Sequence, residues 1–543
     1  MLKALGLVAA VLLSGAAAAA PLQVRIKDGP LQGNRADGVV AFRGIPYAAP
    51  PVGALRWMPP GPAAPWTKPR LATAFGPACA QITTLGPFAG PATANEDCLY
   101  LNVFAPDGGQ KNLPVLFWIH GGGNVDGRSD DYDPRKLVRD GHLVVVTINY
   151  RLGLFGFLAH PALDGEGHAF GNYGILDQQA ALRWVKDNIA AFGGDSHNVT
   201  VAGQSAGASS AGINVLSPLA RDLFQRAIYE SGAYNPLIPL DIAENKGEKF
   251  AATAGCRHRS NTAIAACLRK LPARRILSLS GTASANGPYI TGPMIDGQVV
   301  PGSAIQAYQA GHFNHVPVMN GMVRDEGDFN IGISEYFSGP PRRPVTPADF
   351  KAYVAKTYGG NAGPGGGPPA YSKGTVTAIL AHYPLKSFAS PQLAEDALMT
   401  DPITCRSRHI ARVLASQVPV YDYEFDERTA PTYFPSMPGY RSLAYHTADL
   451  QFLFAGYHGG PAGIAHPLNS VQGHLSDQMV AAWANFARSG NPNGRDNALW
   501  PRFTGAEGTA QYLSENIPAL STLSDKIFAA RHQCGFWDTL LVY

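Results

Sequence analysis

Strand, tight turn and helix follow one another in a short stretch of this chain. Asn198-Val199-Thr200-Val201-Ala202 is rich in β-branched residues, and Gly203-Gln204-Ser205-Ala206-Gly207 comes directly after it, opening onto a run of small residues. A G-x-S-x-G turn in that setting holds its serine on a sharp elbow with Oγ outward and leaves the next backbone N–H free to bind an oxyanion. Ser205 is therefore the candidate nucleophile. Well upstream, Trp118-Ile119-His120-Gly121-Gly122-Gly123 carries a glycine loop of the kind that donates further N–H groups to the same anion.

The rest of the chain fits the sheet that this elbow requires. Asn112 to Ile119 and His142 to Tyr150 are continuous apolar, β-branched runs, as expected of central strands buried on both faces. Ile175 to Ile189 repeats apolar residues at helical spacing and reads as a crossover helix between the second run and the elbow. Further strands are expected at Val316 to Met319 and Val418 to Phe425. Strands alternating with helices predict a doubly wound α/β sheet. Two Gly/Pro-rich stretches, Ser338 to Pro344 and Tyr358 to Pro369, read as loops. They bound an expected insertion of mixed helical character at about residues 330 to 410, read either as a lid-like subdomain or as a plain surface excursion.

The 543 residues are assigned to a single large catalytic domain, residues 21–543. Charged residues are 15% of the chain against about 25% in typical soluble domains, in keeping with a large buried core. A net charge of +3 without lysine or arginine runs gives no field for nucleic acid. Met1-Leu2-Lys3, the apolar Ala4 to Leu13 and the alanines ending at Ala20 read as a bacterial-looking secretory signal peptide, residues 1–20, cleaved near Ala18 to Ala20. Its apolar core is shorter than the ~20 residues a membrane span needs. A secreted or periplasmic location follows, where cysteines oxidise. Six cysteines allow fifteen pairings, and spacing alone does not choose among them. No C-x-x-C pair or histidine cluster indicates a metal.

A serine at its ordinary pKa needs a histidine base and a carboxylate to orient that base, in the chain order Ser, Asp or Glu, His for this kind of elbow. Asn320 to Asp328, after the Val316 strand, offers Asp325 and Glu326, which spacing does not separate. For the base, His446 lies between a polar loop and an aromatic-rich segment, with His458 and His466 as rivals.

Several blocks extend these motifs: Phe42-Arg43-Gly44-Ile45-Pro46-Tyr47-Ala48, Leu55-Arg56-Trp57, Glu96-Asp97-Cys98-Leu99-Tyr100-Leu101-Asn102-Val103, Asn149-Tyr150-Arg151-Leu152, Met294-Ile295-Asp296-Gly297, Gly490-Asn491-Pro492 and Cys534-Gly535-Phe536-Trp537. With them the chain resembles the type-B carboxylesterase family, which includes carboxylesterases and cholinesterases, from the expected mature N-terminus to Trp537. The resemblance implies an α/β-hydrolase fold, a small-molecule ester substrate and no cofactor. It makes Ser205 the nucleophile, Glu326 the orienting acid and His446 the base, with Gly122, Gly123 and Ala206 as oxyanion donors. It also implies disulfides Cys79–Cys98, Cys256–Cys267 and Cys405–Cys534. Oligomeric state is left open.

Two positions depart from the family pattern. Gln204 stands where the family usually has Glu, which removes a charge that helps cholinesterases favour cationic substrates and disfavours choline esters. Asn124, followed by Val125-Asp126-Gly127-Arg128, stands where an aromatic or aliphatic residue is usual. That polar loop is expected to border the acyl pocket, and Arg128 could pair with a substrate carboxylate. The competing readings are a catalytically silent binding module, and a hydrolase of the same fold acting on lactones, amides or thioesters.

Overall fold

A computed structural model describes residues 22–541 except 84, 86–87, 89, 233–236, 281–288, 290–291, 340, 360–374, 461–462, 496, 498, 506–510 and 516–519. The expected signal peptide and most of the Tyr358 to Pro369 stretch lie outside the described residues.

Eleven strands form the main sheet: β1 (Asn34–Ala36), β2 (Val39–Pro46), β3 (Tyr100–Pro106), β4 (Leu113–Ile119), β5 (Val144–Ile148), β6 (Gly194–Gln204), β7 (Arg226–Glu230), β8 (Val318–Val323), β9 (Val420–Phe425), β10 (Gln511–Glu515) and β11 (Leu520–Ser524). Their spatial order is β11-β10-β9-β8-β7-β6-β4-β5-β3-β2-β1. From β5 through β10 neighbouring strands run parallel, and antiparallel strands complete both edges. This is the doubly wound sheet expected from the alternation of strand and helix patterns, in the α/β-hydrolase arrangement that the resemblance implies.

The side-chain period of a strand divides the core in two. Val115, Phe117 and Ile119 of β4 enter one apolar cluster, while Leu116 and Trp118 enter the other. On the first face lie α1 (Tyr173–Asn188), the expected crossover helix, and α2 (Ala206–Leu216), which contribute Leu182 and Ile213. Between β8 and β9 come α3 (Asp328–Phe337), α4 (Pro347–Tyr358), α5 (Thr375–His382) and α6 (Pro391–Ala415). They are followed by α7 (Leu450–Leu453) and α8 (Ser470–Ser489), the latter covering the second face with Met479, Trp483 and Phe486.

The stretch at about 330 to 410 is thus largely helical, and α6 packs directly on β8 and β9. Phe350, Ile379 and Leu398 form a separate small core with Trp537.

All three disulfides implied by the resemblance are present: Cys79–Cys98, Cys256–Cys267 and Cys405–Cys534. The last spans 129 residues and ties α6 to the C-terminal segment. In the chain-entropy account a loop of that length contributes about 4–5 kcal/mol.

Beside that bridge His532 is buried between two carboxylates. Its Nδ1–H donates to Asp401 Oδ1 at 3.0 Å and its Nε2–H to Glu424 Oε1 at 2.6 Å. Burial presses the imidazole toward its neutral form, but the hydrogen bonds and charges of Asp401 and Glu424 together outweigh it and raise the pKa to about 9. A group raised on folding stabilises fully below its unfolded value, about 6.5, and loses that contribution as pH climbs through 9. The thermal midpoint should therefore fall between pH 6.5 and 9, and His532→Gln should flatten that fall; equal slopes in scanning calorimetry would contradict it.

Candidate active site

The order of strands determines where a site can form. β4 pairs with β5 on one side and β6 on the other, so chain direction across the sheet reverses there. The crevice beyond the carboxyl ends of strands at such a point is where open α/β sheets bind ligands. Ile119 of β4 is in register with Gly203 of β6, so the glycine loop and the elbow emerge side by side.

The two elbow glycines are required by that closeness. A Cβ on Gly207 would collide with the Ile119 carbonyl oxygen, and one on Gly203 would lie 2.6 Å from the same atom. Between them Ser205 is held at φ 59°, ψ −126°, a strained conformation for a non-glycine residue. Its N–H donates to the Glu230 carbonyl at 2.8 Å, which ties the elbow to the end of β7.

The glycine loop turns through three successive positive φ angles, 99° at Gly122, 62° at Gly123 and 60° at Asn124. Among the described residues neither the Gly122 nor the Gly123 N–H meets an acceptor, and Ala206 opens α2, where the first N–H groups have no partner in the helix. His120 beneath them is no rival base. It is buried against Tyr150, its ring bonds the Gly121 carbonyl at 2.8 Å, and burial lowers its pKa to about 4.

The carboxylate and the histidine come from loops after β8 and β9, and a single backbone pairing joins them. Asp325 and Tyr445 form a parallel bridge, so the next residues, Glu326 and His446, stand side by side. Glu326 Oε2 accepts from His446 Nδ1–H at 2.5 Å, and its Oε1 accepts from the Val323 N–H at 3.0 Å. Asp325 is committed elsewhere: Arg428 grips both of its oxygens at 2.8 and 2.9 Å. His458 and His466 are exposed, and His458 bonds the Gly456 carbonyl.

Three residues near this group went unremarked or only partly read in the sequence. Gln204 Nε2–H donates to His446 Nε2 at 3.1 Å. The Phe329 ring packs 5.9 Å from the imidazole. Asp449, one turn after His446, is buried with no side-chain donor on either oxygen. Burial, then the charge of Glu326, push its pKa up to about 7 against the pull of His446. An acidic residue amid the aromatic run Ala444 to Phe454 was the signal available for it.

The polar loop is placed differently from the expectation for Arg128. Its guanidinium donates to Asp131 at 2.8 Å and lies 3.5 Å from Asp130, so its charge is answered within the loop. Asn124 is buried, its carbonyl accepts from the Gly153 N–H at 2.7 Å, and its Oδ1 has no partner among the described residues. No cluster of three or more metal-ligating side chains occurs among the described residues.

An α/β-hydrolase sheet thus brings an elbow serine, a glycine loop and a glutamate-bound histidine together at its switch point. The Carboxylesterase family profile matches residues 20–537. Acetylcholinesterase from Bungarus fasciatus is 33% identical over 93% of this chain and 83% of its own length, and carboxylesterase 1E from Mus musculus is 32% identical over 93% and 90%. Among solved structures, a thermophilic PNB esterase superposes with a TM-score of 0.75 at 29% identity, over 94% of this chain and 99% of that one. The chain belongs to the carboxylesterase family and is a carboxylic ester hydrolase.

Gly122→Ala tests the loop geometry. Its Cβ would strike the Asp126 carbonyl oxygen at a φ of +99°, which shifts the N–H groups expected to receive the oxyanion. Loss of one such donor costs about 10²–10³ in kcat, and a variant with parental kcat toward a p-nitrophenyl ester would remove this loop from the chemistry.

Proposed function

We propose that this chain is an exported serine esterase that works through an acyl-enzyme on Ser205. The observation that carries the reading is the pairing of Glu326 with His446 at 2.5 Å beside the elbow that presents Ser205. With the carboxylate on Nδ1–H, the tautomer leaves the Nε2 lone pair as the acceptor. His446 Nε2 takes the serine proton as Oγ bonds to the ester carbonyl carbon. The N–H groups of Gly122, Gly123 and Ala206 receive the resulting oxyanion. The tetrahedral intermediate collapses with cleavage of the bond to the alcohol oxygen, to which His446 returns the proton. Water then attacks the acyl-enzyme by the same route, and Oγ is reprotonated.

A neutral side chain at Gln204 favours uncharged over choline esters, and Arg128, already paired, has no part in the reading. Three disulfides favour an oxidising compartment. No helix among the described residues is long and apolar enough to cross a membrane. Ser205→Ala should lower kcat toward p-nitrophenyl acetate by about 10⁶ with an unchanged circular dichroism spectrum; retained turnover in a folded variant would exclude Ser205 as nucleophile.

A further inference from the structure

The nitrogen that the esterase mechanism needs is already engaged. His446 Nε2 receives the Gln204 amide at 3.1 Å, while Ser205 Oγ has no hydrogen-bond partner among the described residues. Gln204 ends β6 and is 1% exposed, so its side chain has little room to wander. The amide's orientation follows from chemistry. Glu326 fixes the proton on Nδ1, Nε2 is then an acceptor, and only the amino end of the glutamine can satisfy it.

Resting on the reading of His446 as the base, we propose that Gln204 is a positioning residue that holds the base's acceptor nitrogen in the free enzyme and keeps it unprotonated until substrate brings Ser205 into play. A donor aimed at Nε2 stabilises the lone pair and opposes a proton there. The bound ester must displace this amide before Oγ can hand over its proton, so the serine is idle without substrate. The charged groups facing the imidazole are Glu326, from the loop after β8, and Asp449, from its own segment. The Phe329 face is apolar, and the end of β6 presents only the neutral amide. A carboxylate at position 204 would reverse the effect by favouring a protonated Nε2.

The test is the pH dependence of kcat/KM for a neutral p-nitrophenyl ester in the full chain, with Gln204→Met and Gln204→Glu. The acidic limb should move to higher pH in the order parent, Met, Glu, by about one unit or more for Glu. That corresponds to a tenfold or greater loss of rate at a fixed pH on the limb, with the alkaline plateau kept within about tenfold. Gln204→Asn, whose amide falls one methylene short of Nε2, should behave like Met and serves if either variant fails to fold. Superposed limbs, or a lowered plateau with an unmoved limb, would reduce Gln204 to packing and overturn the proposal. Ser205→Ala in the same assay separates the two ideas: activity in that variant would sink the underlying triad, whatever Gln204 does.

Discussion

The site depends on how closely α2 approaches the end of β4. Gly207 comes so near the Ile119 carbonyl that no side chain fits between them, and Gly203 is pressed against the same oxygen. This contact forces the chain through a strained turn at Ser205 and seats the elbow beside the glycine loop. Strain of this kind costs of order 1–3 kcal/mol per residue and persists only where the surroundings over-determine it. Here those surroundings are parallel strands buried on both faces and the Ser205 N–H bonded to the end of β7.

The second half of the site is assembled by backbone pairing. A one-residue bridge between Asp325 and Tyr445 is enough to put Glu326 against His446, because successive residues on paired strands advance together. Asp325, facing the other way, is held by Arg428. Buried charge elsewhere is likewise paired. Arg151 meets Asp177 at 2.7 Å, and Arg56 meets Glu96 at 2.5 Å while also capping the Leu271 carbonyl. Removing one partner from such a pair leaves an uncompensated buried charge, which is far costlier than the pair is beneficial. That accounts for the Leu55-Arg56-Trp57 and Asn149 to Leu152 blocks as structural members that brace the loops around the sheet.

Much of this was legible in the sequence, for physical reasons. Strands buried on both faces are mostly apolar, so β4 and β5 announced themselves, and an elbow this tight admits only glycine at two places. What periodicity could not decide was every choice set by contacts distant along the chain. Asp325 and Glu326 are neighbours whose roles differ through Arg428, over a hundred positions away. Arg128 looked free because Asp130 and Asp131 turn back on it only in the folded loop. Gln204 read as a lost charge, whereas its reach to His446 needs β6 and the loop after β9 to meet. Asp449 was hidden in an aromatic run that promised only packing. The disulfides came from resemblance and not from spacing, since loop length does not determine which cysteines meet.

The central claim is that the elbow serine is the atom that attacks the ester. The direct measurement is to react the folded protein with a fluorophosphonate and map the adduct by tandem mass spectrometry. A single phosphonyl group on the peptide containing Ser205, formed in step with loss of esterase activity, is the expected result. Full loss of activity with the adduct on another residue, or full activity after Ser205 has been modified, would contradict the account.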